Sequence, residues 1–367
     1  MAVTRTPLHG GNVHAAAREL GRPVESLRDF SASINPLGAS ARAVRALSHA
    51  APLVGHYPDP QCVRLKEAIR RRWRLASDCI VVGNGATELI DLIPRALSIR
   101  SALILGPTYE EYARAVELAG GRTSMVMAQR DEDFRPPLKA TTRRLAAQRP
   151  SKTAFDAVFV CHPNNPTGQP CGREDLRGLL DAADRAAVWV VVDESFIEYC
   201  EGLSCITYLP RYPRLIVLRS FTKFYGLPGL RIGYSLSSAA VGARLSRCQP
   251  PWTVNALAQV AAEAAMSDVR HAQRCRTYVE KERGRMVSQL RSIDGVKVIP
   301  SAANFLFIEL PGSFRSSAIT AALRRQGMLI RDCSRWKGCS ERMIRVAVRR
   351  QQDNTRLCAA LKRVLRG

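Results

Sequence analysis

The sequence is poor in lysine. Eight of its 55 basic side chains are lysines and the other 47 are arginines. Aromatic residues are also scarce, at 6% of the chain. Because so few lysines are used, a lysine in an apolar setting attracts attention. One of them, Lys223, stands among aromatic and glycine residues in the segment SFTKFYGLPGLRIGY (220–234).

Several classes of segment are missing. No apolar run approaches the roughly 20 residues that a membrane-spanning helix needs. The opening MAVTRTPLHGG lacks the apolar core of a secretory signal, and no repeat or low-complexity block is present. Hydrophobic residues make up 46% and charged residues 24%, an ordinary globular composition. We therefore expect a soluble, cytoplasmic protein, whose 367 residues suffice for a large domain plus a smaller one.

The cysteine pattern argues against a metal site or a disulfide framework. Eleven cysteines are present, but none forms a C-x-x-C pair. Cys79, Cys161 and Cys358 fall inside apolar patterns, which is typical of small core residues. We expect reduced thiols and no metal.

The charge balance is strongly basic, with a net charge of +23 and a pI of about 10.2. Such a balance can indicate a nucleic-acid partner. The basic residues are scattered, however, and the densest run, RRRWR (70–74), comes without an aromatic RNA motif or a zinc finger. Nucleic acid is therefore an unlikely partner, and the weaker inference is attraction of a small anionic substrate.

Short apolar runs alternate with helical patterns through the middle of the chain. This order predicts an α/β fold with a mostly parallel, doubly wound sheet. The predicted strands are 79–83, 102–106, 122–127, 156–162, 188–194, 214–220 and 231–236, and the predicted helices are 86–97, 109–120 and 173–185. A long helical stretch is predicted over 255–291, followed by strands near 304–310 and 343–348. We expect a large domain at 50–250 and a small α+β domain formed by 1–49 and 251–367.

Polar residues follow several of the predicted strands. Asp193, Asn165, Ser220 and Lys223 all come after such strands, and the loop GNGATE (83–88) joins another strand to a helix. In an open α/β sheet, ligands bind beyond the carboxyl ends of the strands. These residues are therefore expected to meet at one edge of the sheet.

Each of these features has an ordinary structural explanation when it is taken alone. Lys223 could pack its stem on aromatic rings, Asp193 could pair with a structural arginine, and Arg231 could form a salt bridge. Taken together, they match a ligand with a phosphate, a basic ring nitrogen and an aldehyde. Pyridoxal 5'-phosphate has these three groups. A helix N-terminus and an arginine suit its phosphate, a carboxylate suits its ring nitrogen, and a lysine can capture its aldehyde.

The motifs resemble those of fold type I pyridoxal-phosphate enzymes of the aspartate aminotransferase superfamily. The pattern S-x-x-K-x-x-x-x-x-G-x-R is matched by SFTKFYGLPGLR, the N-P-x-G turn by NNPTG, and D-x-x-[YF] by DESF. The resemblance implies that the cofactor is held by the residues Gly85, Ala86, Thr87, Tyr109, Asn165, Asp193, Ser220, Lys223 and Arg231. Lys223 is the implied catalytic residue. Phe196 replaces a tyrosine of many members, so that hydrogen bond should be absent.

The resemblance also implies a homodimer with shared sites. Tyr57, in HYPDP (56–60), matches a tyrosine that reaches the phosphate bound by the neighbouring subunit.

Within the superfamily, the segments HGGNVHAAAREL (9–20) and DFSASINPLG (29–38) resemble the threonine-phosphate decarboxylase branch of cobalamin biosynthesis. The substrate residues implied are His9, Gly10, Ser33, Asn165, Arg331 and Arg345, with the arginines facing the phosphate and the α-carboxylate. Ser33 replaces the branch's usual asparagine. The expected reaction is decarboxylation of O-phospho-L-threonine. The alternatives are an aminotransferase acting on histidinol phosphate or a related amino acid, and a decarboxylase of another phosphorylated or phosphonate amino acid.

Overall fold

The computed structural model describes residues 10–148 and 154–366. The helices are α1 (Val13–Leu20), α2 (Ala41–Ala50), α3 (Val63–Trp73), α4 (Ala86–Ala96), α5 (Glu111–Leu118), α6 (Leu138–Ala146), α7 (Arg173–Arg185), α8 (Ala239–Cys248), α9 (Ala256–Ser267), α10 (Val269–Arg291), α11 (Ser316–Arg325) and α12 (Gln351–Val364). The strands are β1 (Arg28–Asp29), β2 (Ile80–Gly83), β3 (Ser101–Gly106), β4 (Arg122–Met127), β5 (Ala157–Cys161), β6 (Trp189–Asp193), β7 (Leu215–Ser220), β8 (Gly233–Leu236), β9 (Lys297–Val298), β10 (Phe305–Glu309), β11 (Met328–Leu329), β12 (Arg331–Asp332) and β13 (Met343–Ala347).

A seven-stranded sheet forms the centre of the larger part. Its strand order is β2-β8-β7-β6-β5-β3-β4, and β3 to β7 are parallel while β8 runs antiparallel to both of its neighbours. The inner strands are buried along their whole length, because helices cover both faces. The predicted mostly parallel α/β sheet is confirmed, with strand boundaries displaced by one or two residues.

A four-stranded antiparallel sheet, ordered β12-β13-β10-β9, is the centre of the smaller part. The segment near Phe30 contacts this sheet, because the Ala347 amide of β13 donates to the Phe30 carbonyl at 2.8 Å. Just before it, β1 pairs in parallel with β11 as a separate two-stranded sheet. The predicted helical stretch at 255–291 is two helices, because Asp268 ends α9 and caps α10 by accepting from the His271 amide. The domain boundaries stay a prediction.

Two smaller findings bear on the sequence predictions. Cys161 and Cys358 are buried as expected, whereas Cys79 is half-buried at the start of β2. No helix among residues 10–148 and 154–366 is long and apolar enough to cross a membrane.

A buried ion cluster connects β6 and β7 beneath the sheet. Arg219 is fully buried, with its Nε 2.9 Å from Glu194 Oε2 and its Nη1 3.1 Å from Glu198 Oε1. The Arg219 guanidinium also donates to Ser204 Oγ at 3.0 Å and lies 4.7 Å from the Trp73 ring. Burial raises the pKa of Glu198 to about 7, and the charge of Arg219 opposes that rise. The arginine is thus the counter-charge of two buried carboxylates.

We predict that Arg219→Met strongly destabilises the fold. The substitution keeps much of the volume but leaves Glu194 and Glu198 without their cation, which costs about 3–5 kcal/mol for a buried pair. Urea-induced unfolding of the variant and of the unmodified chain measures the difference.

The matched control is Arg95→Met, which removes an exposed helical ion pair with Asp91. It should change the stability by less than about 1 kcal/mol. Equal unfolding midpoints for the two methionine variants would contradict the assigned importance of the buried cluster.

Candidate active site

A cavity of about 280 Å³ opens at the carboxyl ends of the parallel strands, between the two sheets. Of the cofactor residues implied by the sequence, Ala86, Thr87, Tyr109, Asn165, Asp193, Ser220, Lys223 and Arg231 line it. Gly10, Ser33, Arg331 and Arg345 line it from the other side. The structure therefore brings together residues that are up to 335 positions apart.

Lys223 is positioned by a segment from the start of the chain. The amide of Asn35 donates to the Lys223 carbonyl at 3.0 Å, and the Asn35 side chain donates to the Phe224 carbonyl at 2.6 Å. The loop then passes so close to Gly38 that a Cβ on Gly226 would lie 2.6 Å from the Gly38 carbonyl carbon. Gly226 has a φ of +69°, which glycine adopts without strain.

The surroundings of Lys223 favour its neutral amine. Burial and, to a smaller extent, the nearby guanidinium groups of Arg345 and Arg231 together lower the pKa of Lys223 to about 8. The amine lies 5.9 Å from the centre of the Phe196 ring. A lysine that is partly unprotonated near neutral pH can act as a nucleophile and as a base.

Asp193 is fixed by two hydrogen bonds at the end of β6. Its Oδ2 accepts from the Tyr112 hydroxyl at 2.7 Å, and its Oδ1 accepts from the Ser195 amide at 2.9 Å. Burial raises the pKa of Asp193, and these two hydrogen bonds oppose the rise. Tyr112 was not predicted from the sequence; it lies in the first turn of α5, and its ring centre is 5.7 Å from that of Tyr109.

The loop before α4 forms a cradle with Arg231. Gly85 is the N-cap residue of α4, has a φ of +83° and makes no side-chain cap, so the amides of the first turn are not used by a capping side chain. A Cβ at Gly85 would lie 2.5 Å from Arg231 Nη2 and would displace that side chain, and the φ of +83° is one that glycine adopts without strain. A helix N-terminus beside a guanidinium is suited to a phosphate.

The opposite wall carries a second group of donors. The Arg345 guanidinium is bonded to the Asn165 side chain and donates to the Ser31 carbonyl at 2.7 Å. Ser31 Oγ accepts from the Gly11 amide at 2.9 Å, which holds Gly10 against the cavity. A Cβ on Gly10 would lie 2.3 Å from the Ser31 carbonyl oxygen, so the approach requires glycine.

Gly85 forms the cradle beside Arg231 but is not among the residues that line the cavity, and three other positions lie elsewhere or differ. Tyr57 is 81% exposed and does not line the cavity; its ring lies 4.8 Å from that of Trp252. His9 falls outside the described residues. Phe196 lines the cavity and offers no hydroxyl, as expected where many family members have a tyrosine.

The residues present fit pyridoxal phosphate. The cradle at Gly85 and Arg231 offers amide and guanidinium donors to the phosphate. The buried carboxylate of Asp193 suits a protonated ring nitrogen. Tyr109 lines the same cavity with an aromatic face, and Lys223 supplies the amine. Each functional group of the cofactor thus has a partner of matching chemistry.

Comparison with known proteins gives one consistent result. A family model described as "Aminotransferase class I and II" matches residues 26–361. A threonine-phosphate decarboxylase from Salmonella typhimurium is 36% identical over 98% of this chain and 97% of its own length. A histidinol-phosphate aminotransferase from Roseiflexus castenholzii is 35% identical over 95% of this chain and 92% of its own length.

A solved structure has the same fold. The histidinol-phosphate aminotransferase from Sinorhizobium meliloti, in complex with pyridoxal-5'-phosphate, superposes with a TM-score of 0.86 at 24% identity. The alignment covers 100% of this chain and 98% of that chain.

We predict that the cofactor-free protein captures pyridoxal phosphate faster as the pH rises through about 8. The amine must be neutral to react, and a lowered pKa makes the neutral form of Lys223 dominant above that pH. Borohydride trapping at timed intervals, followed by peptide mass analysis, measures modification of Lys223 across pH 6–10. An increase centred near the ordinary lysine value, about 10.4, would contradict the lowered pKa.

Proposed function

We propose that this chain, which belongs to the class I and II aminotransferase family, is a pyridoxal-phosphate enzyme that decarboxylates O-phospho-L-threonine to (R)-1-amino-2-propanol O-phosphate in cobalamin biosynthesis. The observation that carries the proposal is a cavity in which a lysine faces two arginines on adjacent strands, Arg331 and Arg345. Such a pair suits a substrate with a carboxylate and a second anionic group. The decarboxylase from Salmonella typhimurium supports the same assignment.

When bound, pyridoxal phosphate supplies an electron sink for the pair released at the substrate Cα. Asp193 holds a proton on the ring nitrogen, which its burial beside Tyr112 favours. Arg231 and the first turn of α4 fix the cofactor phosphate. Lys223 would hold the cofactor through its aldehyde, and its amine, once displaced by the substrate amine, would supply the proton for Cα.

The choice of bond follows from orientation. The bond at Cα that lies perpendicular to the cofactor ring breaks fastest, so a decarboxylase must hold the carboxylate there. Arg345 is suited to this carboxylate, since it is 7% exposed and already fixed by Asn165 and Ser31. Arg331 is suited to the phosphate. The Cα–carboxylate bond breaks, CO₂ leaves, and one proton is taken up at Cα.

An aminotransferase acting on histidinol phosphate or a related amino acid is the second candidate. It is favoured by the Roseiflexus castenholzii relative, which is nearly as similar to this chain. The same lysine, aspartate and arginines serve both reactions, and the difference is whether hydrogen or carboxylate stands perpendicular to the ring. Ser33, which offers a hydroxyl instead of an amide, also keeps open a decarboxylase of another phosphorylated or phosphonate amino acid.

We predict steady CO₂ release when the holoenzyme is given O-phospho-L-threonine without a 2-oxo acid. The product should gain one proton for each carboxylate lost, which mass spectrometry detects. Lys223→Ala should abolish both turnover and the yellow absorbance of the bound cofactor, because it removes the capturing amine. The matched control, Lys139→Ala, changes a lysine whose side chain is 79% exposed and should leave turnover intact.

Absence of CO₂, with bleaching of the cofactor by an amino donor, would move the assignment to an aminotransferase. Full activity of Lys223→Ala would contradict both candidates.

We further propose a homodimer in which Tyr57 completes the partner's phosphate cradle. Tyr57 and Trp252 form an exposed aromatic pair at 81% and 48% exposure, and Val54 nearby in sequence is 71% exposed. Exposed aromatic and aliphatic side chains of this kind are typical of an interface. The aromatic pair would be covered in a dimer.

We predict that Tyr57→Ala and Lys223→Ala subunits complement each other. If the sites are shared, a mixed dimer has one site with both residues intact. Random exchange should then restore roughly one quarter of the unmodified activity, since half of the dimers are mixed and each has one complete site. Sedimentation checks the assembly, and no gain on mixing would contradict shared sites.

A further inference from the structure

Three buried donors around the cavity lack a hydrogen-bond partner among the described residues. They are Ser33 Oγ, Trp336 Nε1 and Arg345 Nε, and all three residues line the cavity. Ser33 is 1%, Trp336 5% and Arg345 7% exposed. A buried polar group without a partner costs about 1–3 kcal/mol. Three such groups at one cavity indicate a ligand that supplies the missing acceptors.

The arrangement of the two arginines points to an anion as well. Arg331 on β12 stands directly opposite Arg345 on β13 in an antiparallel pair. Like charges at directly opposed positions destabilise a sheet. Burial, together with the charge of Arg331, lowers the pKa of Arg345 to about 10. A bound anion near the two guanidinium groups would relieve this repulsion.

Trp336 lies in the turn that follows β12. Its amide donates to the Cys333 carbonyl at 3.1 Å, and the Arg331 guanidinium lies 5.8 Å from the centre of its ring. The indole therefore stands beside the arginine that faces the cavity. An indole N–H can only donate, so its partner must be an acceptor.

The carboxylate of Asp29 is already hydrogen-bonded to Ser31. Asp29 Oδ1 accepts from the amide of Ser31 at 2.7 Å and from its hydroxyl at 2.6 Å. These bonds direct the Asp29 carboxylate to Ser31. Asp29 therefore supplies no acceptor to the Trp336 indole or to the Ser33 hydroxyl.

We propose that Trp336 is a further donor to the substrate phosphate, with its indole N–H donating directly to a phosphate oxygen beside Arg331 and Ser33, which the family resemblance already assigns to the substrate. The proposal rests on the proposed function only in taking the lysine-centred cavity as an amino-acid site. A tetrahedral phosphate offers acceptors to donors from several directions, whereas a planar carboxylate matches the fork of one arginine, here Arg345. Trp336 is thus a specificity-determining residue.

The subsite would select against substrates that lack the phosphate. Without it, the indole and the hydroxyl remain buried and unpaired. A site built to hydrogen-bond a group rejects analogues that lack that group far more strongly than an apolar pocket rejects an extra atom.

The test is to measure the binding of O-phosphoethanolamine and of ethanolamine to the holoenzyme by calorimetry and by the absorbance of the cofactor. Both ligands carry the amine, neither carries a carboxylate that can be lost, and only the first carries the phosphate. Trp336→Phe keeps the ring and removes the N–H. It should raise the Kd of O-phosphoethanolamine between about tenfold and 100-fold, the value of one hydrogen bond to a charged group. The Kd of ethanolamine should change less than about twofold.

Two further variants make the result specific. Trp189→Phe is the same substitution at a tryptophan outside the cavity lining, and it should leave both constants unchanged. Ser33→Ala removes the second donor and should also weaken only the phosphorylated ligand, which keeps the proposal testable if Trp336→Phe folds poorly.

An unchanged Kd for O-phosphoethanolamine in Trp336→Phe and Ser33→Ala would overturn the subsite, as would an equal loss for both ligands. The outcome is separate from the reaction type. If the variants lose affinity only for the phosphorylated ligand but the enzyme releases no CO₂, the subsite is supported and the decarboxylase assignment fails. If the enzyme releases CO₂ but the variants bind the phosphorylated ligand normally, the decarboxylase assignment is supported and the subsite fails.

Discussion

The geometry of the cavity depends on the buried pairing of Arg219 with Glu194 and Glu198. Side chains alternate between the faces of a strand, so Glu194 and Arg219 point away from the cavity while their neighbours Asp193 and Ser220 line it. The ion pair therefore fixes the register of β6 against β7 from the opposite face. A slip of one residue would bury Asp193 on the wrong side and separate it from Tyr112. An interaction without contact to any ligand thus determines where the carboxylate and the lysine loop stand.

Local patterns in the sequence were sufficient for much of the fold. The strands of the large sheet are short runs of β-branched residues between turn formers, and the predicted helix 173–185 has the boundaries of α7. The meeting of Asp193, Ser220 and Lys223 at one edge of the sheet could also be predicted from the sequence, because the carboxyl ends of parallel strands share one edge. The assignment of a cofactor to that edge came from the combination of motifs.

The features that the sequence did not reveal are long-range. The pairing of β1 with β11 joins positions 28 and 328, and the contact of Asn35 with Lys223 spans almost 190 residues. The break between α9 and α10 was not predicted because the helical pattern of the sequence continues on both sides of Asp268. Trp336 was not singled out from the sequence, and its burial without a partner for the indole N–H is visible only in the structure. Such contacts depend on which elements the fold brings together.

The segment from Phe30 to Asn35 links the small sheet to the lysine loop. At one end, the carbonyls of Phe30 and Ser31 accept from Ala347 and Arg345 on the small sheet. At the other end, Asn35 donates to the backbone of Lys223. Four residues span at most about 14 Å, so the backbone at Ser31 and at Asn35 cannot separate beyond that length. A movement of the small sheet away from the lysine loop beyond this tether would therefore break at least one of these hydrogen bonds.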